Sequence, residues 1–199
     1  MSPRGVAIPD IRERLFAAAE RVLARGGTTA LTSRAVTNEA GCAKGLLHNH
    51  FKSLDAFLAE LALDRVGRVA ERVGQLADEA GKDTVHANVQ GAVMALVHAP
   101  GPMLAGLAAT RPTTFSHVRR AMNERAPGLH SIRRLIADYL DAEREMGRVP
   151  ADIDSATTAL ALVGTVHHLL MTNEADTEGL CRHIERLVAL VLPFDAAYA

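Results

Sequence analysis

Apolar positions recur at helical spacing along almost the whole of this chain. From Asp10 to Arg25, the residues Ile11, Leu15, Ala19, Val22 and Leu23 fall on one face with Arg and Glu on the other, and Gly26-Gly27 closes the segment. Thr32 offers a side-chain oxygen as N-cap for a short second helix, Ser33 to Ala40, with Val36 and Ala40 turned inward. Gly41 supplies the turn that follows. A third helix, from about Ala43 to His50, aims Leu47 and Phe51 back at the first two. Ser53 caps a long fourth helix with the stripe Leu54, Phe57, Leu58, Leu61, Val66, Val69 and Val73. Unbroken as far as Ala80 it would be ~40 Å long, and Gly67 and Gly74 are where it should soften.

Beyond Gly81 the helical period continues over Thr84 to His98, Met103 to Thr110, Thr114 to Glu124, Leu129 to Met146, Ile153 to Thr172 and Thr177 to Leu192. The breakers are "APGP", Pro112, Pro127-Gly128 and "NEAD". No segment alternates with a period of two, and only 4% of residues are aromatic, with no Trp. Both facts disfavour a sheet. The expectation is an all-α fold of about ten helices: a three-helix head over residues 1–52, joined by a long helix to a helical body over 53–199.

Charge separates the same two regions. Residues 1–52 hold eight Lys/Arg against four Asp/Glu, a net +4, and residues 53–199 hold fourteen against nineteen, a net −5. A basic head permits a polyanion partner without demanding one. The apolar runs stop short of the ~18 residues that span a bilayer, and the first ten residues carry no apolar core. Cys42 and Cys181 stand far apart and form no Cys-x-x-Cys. A soluble protein of the cytoplasm is expected, without disulfides. The nine histidines include no His-x-x-His or His-x-x-x-His pair, so neither a metal site nor a cofactor is expected. No nucleophile–base–acid arrangement is recognisable either, which argues against an enzyme.

The stretch "LTSRAVTNEAGCAKGLLHNHFKS", residues 31 to 53, concentrates the chemistry. Two short helices joined by a tight turn, with a preceding helix to pack on, form the helix-turn-helix pattern, whose second helix suits the DNA major groove. That helix presents Lys44, Gly45, Leu46, His48 and Asn49. Lys reaches phosphates or guanine acceptors, Asn pairs with adenine, Gly allows close approach and Leu touches a thymine methyl. Thr32, Ser33, Arg34 and Lys52 flank it as phosphate contacts.

The same residues resemble the DNA-binding domain of the tetracycline-repressor (TetR) family of bacterial regulators. The family pattern Thr-x-x-x-Ile-Ala-x-x-Ala-Gly-Val-Ser-Lys-Gly-Thr-Leu-Tyr-x-His-Phe, preceded by a helix ending in Gly, is met at Gly27, Thr32, Val36, Ala40, Gly41, Lys44, Gly45, Leu47, His50 and Phe51. The likeness runs over about Asp10 to Leu63. Departures are Thr37 for Ala, Cys42 for Val, Ala43 for Ser, Leu46 for Thr, His48 for Tyr, and Leu54 for the Lys that often opens the fourth helix. Ala43 removes a capping hydroxyl, and His48 replaces a phenol with a titratable phosphate contact. Cys42 reads as a small core residue, not a redox sensor.

"DSATTALALVGTVHHLLMT" and "LCRHIERLVALVLPF" are apolar on more than one face, so each has a second side to bury. A second subunit can cover it, with Ala161 and Gly164 permitting close approach, deep burial within the monomer being the other reading, and a homodimer through residues 153–192 is expected. The resemblance implies the same four-helix interface. It also implies a small-molecule pocket between residues 85 and 171, where Met94, His98, Met103, Leu107, Phe115, Met122, Tyr139, Val163 and His167 are the candidate lining. Ordinary core is the other reading of those residues. The function expected is a ligand-responsive DNA-binding regulator, a repressor released from its operator by a small apolar effector. The alternatives are an all-α enzyme acting on a small apolar substrate, and a constitutive DNA-binding protein without an effector.

Overall fold

The computed structural model describes residues 11–98, 111–124, 128–172 and 177–193, and among these every regular element is helical. Nine α-helices follow one another: α1 Ile11–Gly26, α2 Ser33–Glu39, α3 Leu46–His50, α4 Leu54–Gly74, α5 Val85–His98, α6 Pro112–Asn123, α7 Leu129–Glu145, α8 Ser155–Thr172 and α9 Thr177–Val191. The expected helix from Met103 to Thr110 lies outside the described residues.

Three elements differ from the pattern in the sequence, each for a local reason. The third helix starts at Leu46 instead of Ala43; Gly41 turns the chain at φ +62°, and no side chain caps the helix that follows. The fourth ends at Gly74, after which Gln75–Glu79 tightens into a 3-10 turn. Pro112 does not precede its helix but opens it, since proline lacks the N–H that the first helical turn leaves unpaired anyway.

Two compact units emerge. The first comprises residues 1–61 and 106–117, the second residues 62–105 and 118–199, so α4 and α6 each begin in the first and end in the second. The first unit is thus longer than a head of residues 1–52. Of the inward positions expected there, Leu15, Ala19, Val22, Leu23, Val36, Ala40, Leu47, Phe51, Phe57, Leu58 and Leu61 are buried, Ile11 and Leu54 are only half-buried, and Phe16, Ala18 and Leu31 join the core. Phe51 meets Phe57 edge-on with centroids 4.9 Å apart, and Phe16 lies 5.9 Å from Phe51. The Arg12 guanidinium rests 4.9 Å from the Phe51 centroid while pairing with Glu60 at 2.6 Å.

In the second unit, α7 packs along α8 and α9 packs on α5 and α8. Their buried faces form one core around Val89, Val93, Ile132, Ile136, Leu140, Leu162, Val166 and Ile184. A polar cluster sits at its edge. Fully buried Glu143 accepts from the Gly81 backbone N–H at 3.2 Å and faces Arg148, while the Tyr139 hydroxyl accepts from Asn88 Nδ2 at 3.0 Å. Burial, and next a hydrogen bond to Glu143, push the Tyr139 phenol well above its usual range.

Candidate nucleic-acid interface

The first unit holds α2 by both ends. The Thr32 side chain accepts from the Ala35 N–H at 3.1 Å, and Arg14 on α1 donates to the Ala40 carbonyl at 2.8 Å. One donor and one acceptor that a seven-residue helix leaves open at its ends are therefore taken up by side chains. Glu39 at the end of α2 accepts from Arg21 Nε at 2.7 Å and also from Arg25, both on α1. Those hydrogen bonds, Arg25 first, bring its carboxyl down to about 2. Thr37, where the family pattern has Ala, is buried, and its hydroxyl donates back to the Ser33 carbonyl at 2.9 Å. The substitution leaves no orphan polar group.

With its inner face fixed by Val36 and Leu47, the helix pair turns a polar face outward. Thr32, Arg34, Lys44, Gly45, His48, Asn49 and Lys52 are exposed, and Ser33 and Leu46 are half-buried. This face carries three cations, Arg34, Lys44 and Lys52, and no carboxylate; the nearest acid in the stretch, Glu39, is occupied by α1. The arrangement matches what a duplex groove requires: a helix narrow enough to enter, base-reading groups on it, and cations at its margins. Cys42 is half-buried, and burial raises its thiol pKa, as befits a packing residue rather than a nucleophile.

The candidate effector residues are not gathered in the same way. Tyr139 and Val163 are buried in the core of the second unit with Met94 packed against it. Phe115 and Met122 are exposed, as are His98 and His167, and Met103 and Leu107 lie outside the described residues. Phe115 points out because its neighbour Thr114, about 100° away on α6, takes the inward position. Of the nine, His98 borders an open cleft of about 320 Å³ between the end of α4 and α5, which Arg72, Gln75, Glu79, Asn88 and Ala95 also line. Among the described residues no group of three or more His, Cys, Asp or Glu is placed to hold a metal ion, and no helix is long and apolar enough to cross a membrane.

Sequence reasoning missed two further residues of the first unit. Arg111 donates to the Leu31 carbonyl at 3.1 Å and pairs with Asp55 at 3.4 Å, and Thr114 donates to Asp55 Oδ1 at 2.8 Å. An Arg-Pro step opening a helix is visible in the sequence, but its partners are not.

The described residues form a helical protein whose first unit carries a helix-turn-helix arrangement. Residues 15–61 match the family of bacterial regulatory proteins, tetR family. No curated protein sequence matches the chain. Among solved structures, a protein described as a TetR-family transcriptional regulator from Mesorhizobium loti superposes with a TM-score of 0.71 at 16% identity, over 92% of this chain and 95% of that one. The fatty acid degradation regulator FadR from Bacillus halodurans gives 0.64 at 18%, over 96% and 97%. The regulator FadR from Bacillus subtilis, solved in complex with stearoyl-CoA, gives 0.59 at 15%, over 90% and 97%. The chain therefore carries the N-terminal DNA-binding domain of the TetR family, and it shares the fold of these regulators along nearly its whole length.

Proposed function

We propose that this protein is a dimeric transcriptional regulator that reads an operator through α2 and α3 and leaves it when a small molecule binds the second unit. The observation that carries the reading is the exposed face of Arg34, Lys44, His48, Asn49 and Lys52, free of carboxylates, on a helix pair whose first member is fastened at both ends. α3 lies in the major groove with Lys44 and Asn49 at the base edges, while Thr32, Ser33, Arg34 and Lys52 take phosphates. Two copies related by a two-fold axis place their α3 helices ~34–36 Å apart, in successive turns of the groove.

The outward faces of α8 and α9 supply that axis. Leu160, Gly164 and Met171 on α8 and Leu190 on α9 are exposed, and Ser155–Thr172 contains no Asp, Glu, Lys or Arg. An uncharged helix face with large exposed aliphatics is suited to burial against a copy of itself. The effector response rests on likeness to a fold that has been solved with an acyl-CoA bound, and the cleft beside His98 is its candidate entrance. A coupling of ~1–3 kcal/mol between effector and operator suffices to empty the operator.

Selecting duplexes from a random-sequence library with the purified full chain tests the reading. Enrichment of a sequence with two related half-sites is expected. Recovery of no sequence above background would overturn it.

A further inference from the structure

We infer that Arg111, well outside the matched family domain, is a positioning residue of the DNA-reading head: a two-armed strut that fixes the entry of the helix-turn-helix relative to its exit. The inference rests on the reading of residues 31–53 as the DNA contact and adds a residue that this reading does not contain.

One arm of the Arg111 guanidinium, Nη2, donates to the carbonyl of Leu31, the residue immediately before the N-cap of α2. The other, Nη1, pairs with Asp55 in the first turn of α4, the helix that follows α3. Leu31 and Asp55 bracket the whole proposed DNA-contacting stretch. The first helix also ties them indirectly, holding α2 through Arg14, Arg21 and Arg25 and meeting α4 through Arg12–Glu60, and Leu31 is itself buried; Arg111 adds a direct bridge between the two positions. A planar guanidinium with forked donors suits this bridge, because it engages a carbonyl and a carboxylate at once in a fixed relative geometry; an ammonium is a point charge without such a fork.

The far end of the strut is fixed too. Arg111 directly precedes Pro112, whose ring presets the first turn of α6, and the Phe115 N–H bonds back to the Arg111 carbonyl at 3.0 Å. Thr114, almost wholly buried, donates to the same Asp55 oxygen at 2.8 Å. Asp55 thus accepts from two side chains of the α6 start, and its carboxylate sits at the N-terminus of α4, where a negative charge is favoured. Arg111 and Asp55 are each only partly exposed, so the pair is shielded more than a surface ion pair. Removing Arg111 leaves the Leu31 carbonyl without that donor and frees the α2 N-terminus to shift relative to α3. A shift of that kind lowers affinity for a specific duplex, where base edges and phosphates must be met together, more than for an arbitrary one.

The full-length protein tests this, with the duplex recovered by the wild type from a random-sequence library and a mixed-sequence duplex of the same length as probes. Arg111→Gln is expected to bind the recovered duplex about tenfold more weakly, with a smaller change on the mixed duplex. Arg111→Gln also deletes a positive charge, so Asp55→Ala is the decisive variant: it makes the head more positive, and simple electrostatics predicts tighter binding, whereas the strut predicts weaker binding. Thr114→Val, nearly the same shape, weakens it in the same sense. Arg111→Lys falls between wild type and Arg111→Gln. Amide exchange should quicken around Leu31–Ala35 and the first turn of α4 while α1 keeps its protection.

Wild-type affinity in Arg111→Gln, or tighter binding by Asp55→Ala, would overturn the inference. So would full rescue by Arg111→Lys, which would show that charge alone matters, or loss of protection across α1, which would show general unfolding. A wild type that enriches no sequence contradicts the DNA-reading proposal instead, so the two failures are distinguishable.

Discussion

Arg148 Nη1 lies 3.2 Å from Oε2 of Glu143, a carboxylate that solvent does not reach, and no hydrogen bond in the described structure reaches that oxygen. The same nitrogen donates a long hydrogen bond, 3.5 Å, to Oε1, which also accepts from the Gly81 N–H, so Oε2 is held by charge alone. Arg148 also donates to the Asp83 carbonyl, which joins the turn after α7 to the turn before α5. Removing one partner of a buried pair leaves an uncompensated charge in the core. Arg148→Ala is expected to destabilise the fold by about 3–5 kcal/mol, and the double variant Glu143→Leu/Arg148→Met by distinctly less. Denaturant titration of the three proteins checks the order.

Acid should loosen the clasp between α1 and α2. Glu39 has its carboxyl lowered to about 2 from the ordinary 4.5 by hydrogen bonds from Arg25 and Arg21. A depressed folded-state value means that the unfolded chain takes up the proton first, so this contribution is fully present above about pH 4.5 and is lost as the pH falls toward 2. Glu39→Gln removes that part of the acid sensitivity and leaves neutral-pH folding intact. Melting temperature against pH for the two proteins is the measurement; parallel curves between pH 5 and pH 2 would contradict the assignment, within roughly a unit of pH.

Local pattern carried most of this architecture, because helical period, N-caps and glycine turns are decided within a few residues. Val36 and Leu47 inward with Arg34 and Asn49 outward follow from 3.6-residue spacing, and the exposed face agrees, whereas Lys44 lies in the turn before α3 and is exposed there. Contacts distant in the chain left no such trace. Nothing in the neighbourhood of Arg111 announces Leu31, eighty residues earlier, as its acceptor. Tyr139 looked like a pocket wall because an aromatic with a polar tip suits one, yet Asn88 occupies its hydroxyl and the ring is core. Phe115 and Thr114 show the same limit: which of two neighbours faces inward depends on Asp55, a partner on another helix.

The α8–α9 face offers a clean oligomerisation test, because its large aliphatics are exposed and their replacement should leave the fold alone. Leu190 is 74% exposed and Leu160 52%. Leu160→Glu/Leu190→Glu is expected to sediment as a monomer with unchanged helix content, whereas the wild type sediments as a dimer at micromolar concentration. Val188, by contrast, is buried in the second unit, so a charge placed there should unfold the chain and does not report on dimers. Equal sedimentation of the wild type and the double variant would remove this face as the interface.

The central claim is that the outward face of α2 and α3 holds DNA, and a salt series on two single variants tests it most directly. Anisotropy of a labelled duplex, recovered by the wild type from a random library, is followed against protein concentration at several salt concentrations for wild type, Lys44→Ala and Arg34→Ala. All three keep the same circular dichroism, since both side chains are exposed. The logarithm of wild-type affinity falls linearly with the logarithm of salt concentration, by about 0.9 in slope for each phosphate neutralised. Arg34→Ala binds more weakly with a slope shallower by about 1. Lys44→Ala loses affinity for the recovered duplex by about tenfold or more, as expected for a base-edge contact worth ~1–3 kcal/mol. Unchanged affinity and unchanged slope in both variants would contradict the claim.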